Sequence, residues 1–124
     1  MEYKYFSTAG DPLIRCQCGC GLGLTEMSVQ FMKRLDIARE RAGVPFTITS
    51  GIRCAIHNNN VSTTGYDGPH TTGSAVDIST PNPRARFKIR RALIQEGFHR
   101  FGSHPGFIHV DNAPGFDPDV EWWY

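Results

Sequence analysis

Two five-residue stretches, Ala75-Val76-Asp77-Ile78-Ser79 and Phe107-Ile108-His109-Val110-Asp111, most constrain what this chain can fold into. In each, an ionisable side chain stands between two β-branched apolar residues. An extended strand sends alternate residues to opposite faces, so each stretch has an apolar face and a polar one. The polar faces carry Asp77 in the first stretch, and His109 with Asp111 in the second. A lone carboxylate or imidazole beside a core is costly unless it finds a partner. The two strands are therefore expected to be neighbours that share one polar face.

His70 stands seven residues before Asp77, at the end of a polar stretch. Gly68 and Gly73 permit the tight backbone that would curl it back towards the strand. Two imidazoles and a carboxylate are a natural Zn²⁺ donor set that leaves one coordination position open. Such a site activates water, and so points to hydrolysis rather than to a structural metal. Taken singly, each of the three also fits a hydrogen-bonded polar residue that holds no metal.

The remaining pattern predicts an α+β domain with a small, mainly antiparallel sheet and two main helices. Thr25 reads as the cap of a helix running to about Ala42. Met27, Phe31, Leu35, Ala38 and Ala42 form its apolar stripe, and Gly43 stops it. Residues 44–50 read as a strand and residues 55–70 as a long polar loop. Asn82 and Pro83 open a second helix that runs to about Glu96, with Phe87, Ile89, Leu93 and Ile94 as its apolar residues. Short strands are expected near 98–101 and 107–111. Residues 1–23 read as an irregular Cys-rich segment, and 113–124 as a turn-rich tail.

Length and charge narrow the function classes. The 124 residues fit one domain, and 40% hydrophobic with 20% charged residues is ordinary globular composition. A net charge of +1 gives no electrostatic case for nucleic acid or a membrane surface. No apolar run approaches a bilayer span, and the N-terminus lacks an apolar signal core. The expectation is a monomer that stays in the cytoplasm until released. Cys16, Cys18 and Cys20 alternate, and Cys54 follows Arg53. Free thiols, disulfides and a second metal all remain open for these four.

Three blocks together, T-S-G-I-R-C-A-I-H-N (49–58), H-T-T-G-S-A-V-D-I (70–78) and G-F-I-H-V-D (106–111), resemble the zinc D-Ala-D-Ala carboxypeptidase family of M15-type peptidoglycan peptidases. The C-x-C-G-C-G run before the first helix looks like a phage or prophage branch. The resemblance implies a zinc site of the DD-peptidase and hedgehog-like kind, with His70, Asp77 and His109 as ligands. It implies that Arg53 binds a substrate carboxylate or peptide carbonyl. It also implies that His104 is an active-site residue that polarises the scissile carbonyl or moves a proton. Several branches carry a carboxylate three residues before the last zinc histidine, where this chain has Gly106. His104 is then the expected base and Asp111 the alternative, though Asp111 is better read as orienting a ligand. His57 and Asn58 are expected to fix their loop, and His99 to be structural. The implied function is hydrolysis of peptidoglycan stem peptides or cross-links by a phage endolysin or virion-associated enzyme. The alternatives are a non-catalytic zinc-containing wall-binding or phage structural module, and a small structural protein whose cysteines hold the metal.

Overall fold

The computed structural model describes residues 2–124 and consists of three α-helices against a five-stranded sheet. Helix α1 spans Val29–Ala42, β1 Ile48–Ser50, α2 Ala55–Val61 and β2 Ala75–Ser79. They are followed by α3 Pro83–Gln95, β3 Arg100–His104, β4 Phe107–Asp111 and β5 Val120–Trp123. The strand order is β1-β2-β4-β3-β5. All pairings are antiparallel except β3–β5, which is parallel. The α+β reading with a mainly antiparallel sheet holds; the one parallel pair, β3–β5, and a third helix are additions to it.

The apolar stripe of α1 is where the spacing places it: Phe31, Leu35, Ala38 and Ala42 are buried. Its start is later than expected. Leu24–Glu26 form a 3₁₀ turn, and the cap is Ser28, whose side chain accepts the Phe31 N–H. The Ser28 N–H is meanwhile taken by the carbonyl of Gly73 at 2.8 Å, which ties the helix start to the turn before β2. Asn82 caps α3 through the Ala85 N–H, with Pro83 in the first turn, as read. Of its four expected apolar contacts, Ile89 and Leu93 are buried while Phe87 and Ile94 are exposed. The buried face is completed by Ala92, on a helix that packs against α1.

Three other boundaries differ from the sequence reading. Only Ile48 and Ser50 of the expected 44–50 strand pair with β2. The strand expected near 98–101 begins at Arg100. Residues 55–70 are not an open loop but hold α2 and two 3₁₀ turns, Gly65–Asp67 and Pro69–Thr72. Their polar composition concealed an internal scaffold. Buried Asn58 donates to Thr64 Oγ1 at 2.9 Å and to the Gly65 carbonyl at 2.6 Å, closing the segment on itself. The tail also adds a strand, β5, beside β3.

One face of the sheet packs Val76, Ile78, Ile108, Val110 and Phe101 against Phe31, Leu35, Ile89 and Leu93. The other face carries Asp77, His109 and Asp111. No helix among the described residues is long and apolar enough to cross a membrane. Truncating Leu35, which is fully buried, to alanine is expected to cost about 2–5 kcal/mol in urea unfolding. Ile37→Ala, at a half-exposed position of the same helix, should stay within about 0.5 kcal/mol.

Candidate metal centre

The register between β2 and β4 places Asp77 opposite His109. His70 reaches the same point from the 3₁₀ turn Pro69–Thr72, which Gly73 ends in a left-handed conformation at φ 75°. Gly68 acts differently from the expectation: its φ is −71°, and what it provides is space, since a Cβ there would meet the Thr64 side chain. All three site residues are buried. Their ligating atoms lie within 4.8 Å of one another.

Hydrogen bonding at the outer edge of each ring decides which nitrogen faces inward. His70 Nδ1 lies 2.7 Å from the Gly51 carbonyl, which can only accept, so Nδ1 carries the proton. His109 Nε2 lies 2.6 Å from Asp111 Oδ2 and donates to it by the same logic. In neutral rings the inward atoms, His70 Nε2 and His109 Nδ1, are then lone pairs. They stand 3.4 and 3.0 Å from Asp77 Oδ1. Three acceptors thus face one another with no donor among them, and the gap calls for positive charge. Ligands on a tetrahedral zinc with bonds of about 2.0–2.1 Å are themselves about 3.3 Å apart, so the donor set and its spacing fit that ion.

Without an ion, protons meet the same demand. Burial opposes ionisation of Asp77, but hydrogen bonds from His109 and His70 outweigh it and hold the carboxyl well below the usual range. Burial also opposes charging His109, yet its bonds to Asp111 and Asp77 push it up. Asp111 is held low: its bond to His109 and its contact with Arg100 overcome desolvation.

Asp111 is fully buried and its oxygens are taken. Oδ2 accepts from His109, and Oδ1 accepts from Arg100 Nε at 2.7 Å and from the Ala113 N–H at 3.1 Å. A carboxylate so engaged orients a ring and has no free edge for moving a substrate proton. Arg53 is brought to the cleft: its guanidinium donates to Asn58 Oδ1 at 3.1 Å and Ser50 Oγ at 3.0 Å, leaving its other donors for a ligand. His104 is not among the residues that line the cleft. Its ring stacks on Phe107 at 4.4 Å, and its Nδ1 accepts the Gly106 N–H at 3.0 Å. His99 is half exposed and accepts the Asp119 N–H, tethering the approach to β5.

The cleft has a volume of about 680 Å³. One wall is Val61–Thr64 and the other is Trp122, Trp123 and Tyr124 of the tail. The sequence leaves residues 55–70 and the aromatic tail as alternative cleft walls, and both contribute; what sequence reasoning missed is Arg100, which lies beneath Trp122 and Phe116. The signal that the tail closes over the site was Gly102, opposite His109. A Cβ there would come within 2.5 Å of Trp122 Nε1, so the missing side chain is what admits the indole to within 5.3 Å of the His109 ring.

Asp111→Asn, which keeps the shape and removes the charge, is expected to weaken zinc binding by about 10–100-fold in chelator competition. Gly102→Ala should shift tryptophan fluorescence and lower affinity for a cleft ligand, while circular dichroism reports an intact fold.

A family model described as Peptidase M15 matches residues 5–111. No curated protein matches the chain. No solved structure matches it. The matched span contains His70, Asp77 and His109 and covers most of the sequence, so the chain belongs to the peptidase M15 family, a family of zinc-dependent metallopeptidases.

Proposed function

We propose that this chain is a zinc-dependent hydrolase of peptidoglycan peptides, cutting a stem peptide or cross-link as a D-Ala-D-Ala carboxypeptidase or endopeptidase. The observation that carries the reading is the donor-free gap between His70 Nε2, Asp77 Oδ1 and His109 Nδ1 at the floor of a peptide-sized cleft. His70, Asp77 and His109 would hold the zinc. When bound, it supplies Lewis-acid polarisation of a carbonyl and makes water more acidic.

The chain's own residues do the rest. Arg53 offers a planar fork of free donors to a substrate carboxylate, a geometry that a lysine cannot copy. Its position is set by Asn58 and Ser50, and by its own N–H on the His70 carbonyl at 3.0 Å. Substrate anchor and candidate ligand are therefore coupled through one backbone bond. Trp122 and Tyr124 exclude water from one side of the cleft and give the peptide an apolar surface. Asp111, held by Arg100, keeps the His109 tautomer that points Nδ1 inward. His104, at the rim against Phe107, is proposed to move the proton to the leaving amine through its free Nε2. The C-x-C-G-C-G run supports a phage setting, as a lysis or virion enzyme acting on the wall as a monomer.

A second reading is a zinc-containing wall-binding module without turnover. Gly106 favours it, because no carboxylate stands at that turn and the His104 Nδ1 is already engaged by the Gly106 N–H.

Mass spectrometry of muropeptides digested by the zinc-loaded chain should show loss of a terminal D-alanine or of a cross-link. His109→Ala should abolish it, and Arg53→Lys should raise KM by about 10-fold or more, in keeping with a lost charge-assisted bond. His104→Ala should lower kcat by about 10²-fold or more with little change in KM. Zinc-loaded wild type that binds cell wall and releases nothing would favour the module.

A further inference from the structure

The four cysteines converge although they come from two distant stretches. Cys16, Cys18, Cys20 and Cys54 place their sulfurs within 4.8 Å of one another. Cys16 and Cys18 are 3.4 Å apart, and Cys18 and Cys54 3.6 Å. The edge of a tetrahedron of sulfurs around zinc, with bonds of about 2.3 Å, is about 3.8 Å.

Alternation alone makes three cysteines in five residues look too cramped for one site. The backbone removes that objection. Gly19 and Gly21 adopt φ of 85° and 99°. A Cβ at either would meet nothing within 4 Å, so these glycines are there for their conformation and not for space. The two left-handed steps turn successive cysteines back on one point. The Cys16 N–H, bonded to the Leu22 carbonyl at 2.9 Å, closes the loop.

Two of the sulfurs are also provided with donors. The Cys54 N–H points at Cys16 Sγ at 3.3 Å, and the His57 N–H at Cys54 Sγ at 3.4 Å. Backbone N–H groups aimed at sulfur stabilise thiolate rather than thiol. Cys18 and Cys20 are exposed, in a loop without regular structure.

We propose that Cys16, Cys18, Cys20 and Cys54 form a second, structural zinc site, closed by four thiolates and separate from the His70–Asp77–His109 group. A full sulfur shell leaves no open position, so this ion does no chemistry. Its effect is to staple the N-terminal loop to the start of α2. Cys54 caps α2 and directly follows Arg53, so the staple fixes the segment that presents Arg53 to the cleft. The same segment already leans on the N-terminal region through the Ile52 N–H on the Ile14 carbonyl at 2.9 Å. The site stands on sulfur geometry alone and does not depend on the proposed peptidase activity.

The test counts zinc by elemental mass spectrometry in the full chain purified under reductant. About two ions per chain are expected in the wild type. His109→Ala should keep about one, and so should Cys18→Ser/Cys20→Ser, which alters only exposed positions. Cobalt substitution of the wild type needs no variant and should give an intense near-ultraviolet thiolate-to-metal charge-transfer band that persists in His109→Ala. Zinc that is lost entirely with His109→Ala, a cobalt form without that band, iron in place of zinc, or disulfides in the reduced preparation would each overturn the proposal. Zinc lost entirely with the cysteine pair instead would uphold this site and count against the histidine one.

Discussion

The cleft depends on one register. Because β2 runs antiparallel to β4 with Asp77 opposite His109, the two ionisable side chains share the solvent-side face, while Val76, Ile78, Ile108 and Val110 share the core face. A slip by one residue would invert every side chain, burying a carboxylate and an imidazole against Leu35 and Phe31. The apolar face therefore enforces the polar geometry: the core under α1 and α3 holds the candidate ligands in place as firmly as their own hydrogen bonds do.

Around that pair the structure builds a shell of single-purpose contacts. The Gly51 carbonyl and Asp111 each take an imidazole proton and leave the lone pairs facing Asp77. Arg100 neutralises Asp111 in a buried contact that also underlies the aromatic wall. Breaking one side of such a pair leaves a buried charge unmatched, a cost of about 3–5 kcal/mol. Orientation at the site and stability of the β3–β4–β5 edge are thus the same set of interactions.

Much of this was legible because the governing rules are local. Strand alternation exposed Asp77, His109 and Asp111. The helix stripe of α1 and the Asn82-Pro83 start of α3 follow from spacing and capping chemistry. The failures were all non-local. Ser28 displaced Thr25 as cap because the Gly73 carbonyl, far along the chain, holds its N–H. Residues 55–70 looked like loop because their order comes from one buried amide, Asn58, and not from an apolar period. Phe87 and Ile94 share helical spacing with Ile89 and Leu93, yet lie on the side of α3 that faces away from α1 and the sheet.

Sequence by itself determined which side chains could ligate a metal and which strand faces Asp77 and His109 occupy, since residue type and period settle both without any partner. Only the tertiary structure decided what surrounds them. It set the tautomers of His70 and His109, stacked His104 on Phe107, and brought Trp122 and Tyr124 over Gly102 to make a wall. It also gathered four sulfurs through two left-handed glycines. Each of these depends on groups brought close by the fold across long stretches of chain, and no local pattern encodes a contact of that kind.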